Sequence, residues 1–232
     1  MSTLQKLSLA LLGTAVIFMG ANPASAVSLT KGGSTPVAGE GQYTNIKGAK
    51  TINFNDGTAP SSGDVTYSQT DGIVEGSVSN EYASPFGNTS KYLTISPAGD
   101  NVKGGTGSVD INFAKALDYF GFYWGSIDTY NFVDVYSKGN LLKTFSGSDV
   151  PGAPANGQQS GDENNVYVNL LADKGEAFDK VVFRSTGRAF ETDNHSYKAS
   201  STSVPEPSSM LGLLAFGALS AGSFVKRKSK IA

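Results

Sequence analysis

The chain has 232 residues, no cysteine, a single histidine and a formal net charge of −2. The lack of cysteine excludes disulfides, thiol catalysis and thiolate metal sites. Because acidic and basic residues are interspersed and nearly balanced, no basic surface for nucleic acid is indicated.

The first 26 residues have the pattern of a secretory signal peptide. Lys6 supplies the positive start, residues 7–19 form an apolar run, and small residues stand at positions 24–26. This order predicts a helical signal peptide that signal peptidase cuts between Ala26 and Val27. A buried N-terminal helix is the less favoured alternative. The sequence therefore predicts export.

Residues 27–200 read as one domain of short strands. In residues 50–56, Ile52 and Phe54 alternate with polar neighbours before an Asp-Gly turn signal. Similar runs recur up to Ala199, each stopped by Gly, Pro or Asn, and none has helical spacing. We therefore expect an all-β fold, a single β-sandwich that is jelly-roll-like. Residues 138–140 predict a tight hairpin, and residues 145–165 a long loop.

An aromatic cluster falls in the middle of this series. Alternation places Phe120, Phe122 and Trp124 on one face and the neighbouring tyrosines on the other. The first set is predicted to fill the core. The alternative for Trp124 is a surface that stacks on sugar rings. The candidate glycan-binding residues are Tyr123, Trp124 and Tyr130.

Oxygen-rich side chains occur near the first and last predicted strands. Asn55 and Asp56 follow one, while Glu191, Asp193 and Asn194 lie on the other. Calcium prefers carboxylate and amide oxygens, and such strands are often neighbours in jelly rolls. These five residues are a candidate structural calcium site, with ordinary turn residues as the alternative.

No catalytic residues are predicted. His195, the single histidine, is expected to be exposed near a strand end, and no Gly-x-Ser-x-Gly elbow accompanies it. Carboxylates are plentiful, but the sequence does not show which two would face each other across a glycosidic bond, as glycoside hydrolysis requires. Asp110, Asp118 and Asp134 lie in alternating strands, with side chains expected on the solvent face. A non-enzymatic protein is favoured, and a glycan-active enzyme is the least favoured of the candidate functions.

Residues 201–232 form a distinct tail. A linker leads to Pro205, Glu206 and Pro207, an apolar run spans residues 210–225, and Lys226, Arg227 and Lys228 follow. A helix of about 16 residues rises about 24 Å, short of a hydrocarbon core of about 30 Å. Its basic end would stop in the cytoplasm. The pattern predicts a helix that holds the protein in the membrane transiently, with a permanent anchor or a buried core helix as the less favoured alternative.

This tail resembles the sorting signal of PEP-CTERM proteins. The resemblance implies that exosortase, a membrane-embedded protease, recognises the motif and cuts nearby, in bacteria that make abundant extracellular polysaccharide. Residues 118–142 and 183–194 also resemble exosortase-dependent surface proteins found mainly in cyanobacteria. The most specific string runs from Trp124 to Asn131. That family is defined by its export route and not by an activity.

The expected function is therefore that of a non-enzymatic surface or extracellular-matrix protein, sorted and processed by exosortase and associated with extracellular polysaccharide. A carbohydrate-binding module with a defined glycan ligand is the alternative. The expected partners are signal peptidase, exosortase, the membrane and a polysaccharide, without nucleic acid.

Overall fold

A computed structural model describes residues 27–69 and 71–201, which form thirteen strands and one short 3₁₀ helix, Gly147–Asp149. The predicted helices at either end lie outside these residues. Within the described residues we find no helix with the length and apolarity needed to cross a membrane. The strands are β1 (Val27–Lys31), β2 (Ser34–Val37), β3 (Gly41–Thr44), β4 (Lys50–Ile52), β5 (Val65–Tyr67), β6 (Ile73–Glu75), β7 (Lys91–Ile95), β8 (Ser108–Gly125), β9 (Asn131–Ser137), β10 (Asn140–Ser146), β11 (Val166–Ala172), β12 (Phe178–Ser185) and β13 (Phe190–Ala199).

The 18-residue strand β8 connects two halves of an 11-stranded antiparallel sheet. Along its first part, β8 lies between β12 and β5, and β9 and β10 continue that half. Along its second part, β8 lies between β11 and β13. Strand β11 also pairs with β1, and β13 also pairs with β7 and β4. The strands β2 and β3 form a separate hairpin.

The two halves share one core. Phe183 of β12 pairs with Val109 in the first half, yet its ring lies 4.8 Å from Phe122 and 5.1 Å from Phe190 in the second half. Phe190 lies on β13, which does not pair with β12, and Phe122 lies beyond the part of β8 that pairs with β12. Ring contacts of this kind are those of sheets packed face to face. The prediction of an all-β domain is confirmed.

The aromatic segment of β8 follows the predicted alternation. Phe120, Phe122 and Trp124 are at most 1% exposed and belong to the core. Tyr119 and Tyr123 face the other way but are also buried, because the β2–β3 hairpin and the loop before β7 cover them. The Tyr119 hydroxyl lies 2.7 Å from Thr44 Oγ1. The second half of the sheet is therefore covered on both faces.

The turn between β9 and β10 is the predicted hairpin. Lys138 and Gly139 have φ values of +49° and +79°, as a two-residue type I′ turn requires. The predicted long loop is also present, since no strand intervenes between the end of β10 at Ser146 and the start of β11 at Val166.

Both ends of the described domain lie at the same end of the sheet. Val27 pairs with Ala172, and the preceding Leu171 pairs with Tyr119. On its other side Tyr119 pairs with Lys198, close to the end of β13. We call this the tether end, because the chain continues from it towards the tail.

Candidate functional site

A surface cleft of about 730 Å³ lies at the opposite end of the sheet. Glu191, at the start of β13, lines it and pairs with Gly125 at the end of β8. From there to Lys198 is seven residues of strand, so the cleft lies roughly 20 Å from the tether end. Its walls are formed by residues 77–83, 126–130, 157–159 and 188–191.

Glu191 joins two walls of the cleft. Its carboxylate accepts a hydrogen bond from the backbone N–H of Ala83 at 2.9 Å and one from the Ser126 hydroxyl at 2.7 Å. The side chain is 2% exposed, and burial raises the pKa of Glu191 to about 7 in spite of these two hydrogen bonds. Glu191 therefore has a positioning role, holding the two loops against the sheet.

Arg188 holds the outer wall. Its Nε donates to Asp100 at 2.6 Å and its Nη1 donates to the carbonyl oxygen of Asn80 at 3.1 Å. The Tyr130 hydroxyl donates to the carbonyl oxygen of Arg188 at 2.7 Å. The guanidinium is thus already paired, and the Tyr130 ring is fixed along the cleft.

Asp128 brings a half-buried carboxylate to the cleft. Residue 157 has a φ of +71°, and a Cβ there would lie 2.6 Å from Asp128 Oδ1, so only glycine lets this loop approach the carboxylate. Burial raises the pKa of Asp128, while a hydrogen bond with Tyr130 opposes that shift.

Two partly exposed tyrosines supply aromatic surface. Tyr82 and Tyr130 are both half-buried in the wall, and Tyr82 packs edge-on against Tyr92 with ring centres 6.4 Å apart. Serine hydroxyls and the amides of Asn80 and Gln159 lie beside them. A cleft with ring faces, hydroxyls, amides and carboxylates suits a polar ligand of several units.

The structure corrects the predicted glycan-binding surface. Trp124 is 0% exposed and Tyr123 is 1% exposed, so neither ring is available to a sugar. Trp124 instead packs on Phe190 with ring centres 4.8 Å apart, and the Tyr123 hydroxyl donates to the carbonyl oxygen of Phe86. Of the three predicted residues only Tyr130 reaches the cleft.

The structure does not bring the five candidate calcium ligands into one shell. Their strands are neighbours as expected, since β4 pairs with β13. Asn55 and Asp56 nevertheless stay exposed in a turn, while Glu191 faces the cleft. Asp193 accepts from the side-chain amide of Asn88, and Asn194 donates to carbonyl oxygens of the β2–β3 hairpin. Over residues 27–69 and 71–201, no group of three or more acidic, histidine or cysteine side chains could hold a metal ion.

His195 is buried, contrary to the expectation of an exposed residue. Its Nδ1 lies 2.8 Å from the Tyr67 hydroxyl and its Nε2 lies 2.9 Å from Thr192 Oγ1. Phe54 and Phe183 pack edge-on against the imidazole. Burial lowers the pKa of His195 to about 3, so the ring is neutral at physiological pH. It is a core residue.

One of the three strand aspartates expected on the solvent face is covered. Asp134 points outward from β9 but is only 4% exposed, because Arg184 forms a two-pronged ion pair with it and Thr144 donates to it. Asp110 and Asp118 are half-exposed, and Asp110 pairs with Lys180. A neighbouring cation explains the burial of Asp134.

Sequence reasoning named several residues of the cleft but not the cleft itself. The sequence places Tyr130 and Glu191 in two different candidate sites, and residues 77–83 in none. The four segments are far apart in the chain. The pairing of β8 with β13 brings two of them together, and hydrogen bonds from the backbone N–H of Ala83 to Glu191 and of Gly157 to Ile127 bring in the others. For residues 77–83, the available sequence signal was a turn-rich composition that includes Tyr82.

Comparison with known proteins identifies the tail. Residues 203–228 match the family described as the PEP-CTERM protein-sorting motif. The predicted motif Pro205–Pro207 and the basic residues 226–228 fall within this match and outside the described residues. A PEP-CTERM motif indicates exosortase-dependent sorting of an exported surface protein and implies processing by exosortase. No curated protein and no solved structure matches the chain.

Proposed function

We propose that this protein is a non-enzymatic component of the cell surface or extracellular matrix, where it associates with extracellular polysaccharide through the cleft. Two observations support the proposal. The tail matches a sorting motif of exported surface proteins, and the domain presents a large polar cleft with tyrosine faces.

The proposed route begins with the signal peptide of residues 1–26, cut after Ala26. The hydrophobic tail then holds the precursor in the membrane, with residues 226–228 on the cytoplasmic side. Exosortase cuts near Glu206 and releases the domain to the surface. The resemblance to mainly cyanobacterial surface proteins stays a prediction, as does the jelly-roll-like sandwich, which the contact of Phe183 with Phe122 between the two halves of the sheet supports.

The observation that carries the proposal is the position of the cleft relative to the end of the described domain, from which the chain continues. The described domain ends beside Lys198 and Tyr119, whereas Glu191 and Gly125 mark the cleft at the far end of the same strands. A domain held at its tether end therefore directs the cleft away from that attachment. This orientation leaves the cleft free for extracellular material even while the precursor is still held in the membrane.

A carbohydrate-binding module with a defined glycan ligand is the alternative. The cleft favours the module over a general matrix role because hydrogen bonds fix its walls, the buried ones of Glu191 and the exposed one of Arg188 to Asp100. A fixed shape selects ligands, since less ordering is needed on binding. Discrete, saturable binding on a glycan array supports the module.

An enzyme is the third candidate, because the carboxylates of Asp128 and Glu191 both line the cleft. We place it last since both Glu191 oxygens are engaged by Ala83 and Ser126. Turnover of a polysaccharide that is lost in Asp128→Asn would favour the enzyme.

The test is co-sedimentation of the released protein with insoluble polysaccharide from its own cells. We expect the wild-type protein to sediment with the polysaccharide and Tyr130→Ala to remain largely in solution. The control is Asp64→Asn, at an exposed ion pair with Lys50 that lies outside the cleft. Equal sedimentation of wild type and Tyr130→Ala, or none by either, would contradict the proposal.

A further inference from the structure

We propose that the cleft selects glycans that carry free amino groups, such as deacetylated hexosamine units, over neutral glycans and over uronic-acid polymers. The inference rests on the proposed function and specifies its ligand. It follows from the charges of the lining side chains and from the two tyrosine faces.

The lining is acidic where it is accessible. Glu81 and Asp128 are half-exposed in the walls, and Glu191 lies beneath them. The cation of the lining, Arg188, is paired with Asp100 at 2.6 Å. A polyanion entering the cleft would thus meet carboxylates beside a cation that already has a carboxylate partner, whereas an ammonium group would meet opposite charge.

The aromatic walls favour the same ligand. Tyr82 and Tyr130 line the cleft, and both are partly exposed. An ammonium group over a tyrosine face is attracted by the negative face of the ring quadrupole, and this adds to the attraction of nearby carboxylates. Carboxylates and tyrosine faces around one cleft are a combination suited to a cation.

The remaining lining indicates that the cation is carried by a sugar. Ser77, Ser79 and Gln159 present hydroxyl and amide groups along the cleft. Such groups exchange hydrogen bonds with the hydroxyls of sugar rings, whereas a lysine side chain would bring an apolar stem. A peptide amine is therefore the competing ligand that the experiment must exclude.

The experiment measures binding of four soluble probes to the released protein by calorimetry. The probes are a glucosamine oligomer, its N-acetylated counterpart, a uronic-acid oligomer and trilysine. We expect the glucosamine oligomer to bind about tenfold more tightly than the acetylated form. Because the preference is electrostatic, it should shrink in high salt.

Variants assign the preference to the cleft. Asp128→Asn and Glu81→Gln keep the size of each side chain and remove its charge, so each should reduce the preference for the amine several-fold. Asp64→Asn removes a carboxylate outside the cleft and should leave the preference unchanged.

The outcomes separate this inference from the proposed function. Equal affinity for the acetylated and deacetylated oligomers, tighter binding of the uronic-acid oligomer, or equally tight binding of trilysine would overturn the amine preference. In the first two cases the glycan function would stand. If the protein bound none of the three sugar probes and did not sediment with the polysaccharide of its native cells, the proposed function would be overturned as well.

Discussion

Replacing Glu191 by glutamine should stabilise the domain at pH 8 and leave its stability at pH 4 almost unchanged. The carboxyl is buried between Ala83 and Ser126, and burial raises its pKa from 4.5 to about 7. Glutamine has the same shape. Its carbonyl oxygen can accept the Ala83 N–H bond, and its amide can donate to the Ser126 hydroxyl oxygen.

The sign follows from proton linkage. Between about pH 4 and 7 the unfolded chain has lost the Glu191 proton while the folded chain retains it. The folded state therefore binds more protons, and its stability falls as the pH rises through this range. A shift of two to three pKa units corresponds to about 3 kcal/mol, fully expressed above pH 7. Glutamine does not ionise and avoids this cost.

Two neighbours on β13 also titrate, so the variant must be compared with wild type at each pH. Burial raises the pKa of Asp193 to about 8, which lowers stability at high pH in the same way. Burial lowers the pKa of His195 to about 3, which lowers stability as the pH falls below about 6.5. Subtracting the two curves removes both contributions.

The assay is thermal unfolding of wild type and Glu191→Gln across this pH range. For a domain of this size we expect a Tm difference of about 6 °C or more at pH 8. Glu75→Gln, at an exposed position, is the matched control and should show little difference. A Glu191→Gln domain that is less stable than wild type at pH 8, or a difference that does not change with pH, would refute this reasoning.

The remaining predictions concern packing, an ion pair, a turn and the tail. Trp124→Phe should lower stability by about 2 kcal/mol in chemical denaturation yet leave polysaccharide binding intact, because the indole is buried in the core. Arg184→Ala should cost about 2 kcal/mol by leaving Asp134 unpaired, and adding Asp134→Asn should recover most of it. Gly139→Ala should cost about 1 kcal/mol because the turn requires a positive φ. Glu206→Ala should leave the precursor in the membrane fraction at higher mass, as seen by immunoblotting.

Features that depend on neighbouring residues could be predicted from the sequence. Alternation alone placed Phe120, Phe122 and Trp124 in the core, because successive side chains of a strand point to opposite faces. The hairpin at Lys138 and Gly139 was equally accessible, since the two-residue turn needs residues that accept a positive φ.

The burial of β13 could not be predicted in this way. Its sequence from Glu191 to Ser196 is polar, and such a strand ordinarily has one solvent-exposed face. In the structure all six residues are at most 2% exposed, and partners from distant segments hydrogen-bond to the side chains of five of them. Asn88 donates to Asp193, and the Tyr67 hydroxyl lies beside the His195 imidazole. A single sequence does not reveal such pairings.

The candidate sites were misplaced for the same reason. The turn that follows Trp124 suggested an exposed ring that could stack on sugars, yet the side chain is buried in the core between the two halves of the sheet. The cleft arises where Tyr82, Asp128 and Glu191 meet, and these residues come from three separate loops or strand ends. Strand register is what brings them together.

The most direct test of the whole account is peptide mass spectrometry of the protein recovered with extracellular polysaccharide from native cells. We predict that this fraction contains peptides from Val27 onward through β13 but none that spans residues 210–230, because exosortase has removed the tail. Peptides spanning residues 210–230 in that fraction, or recovery of the protein from the membrane fraction alone, would contradict the account.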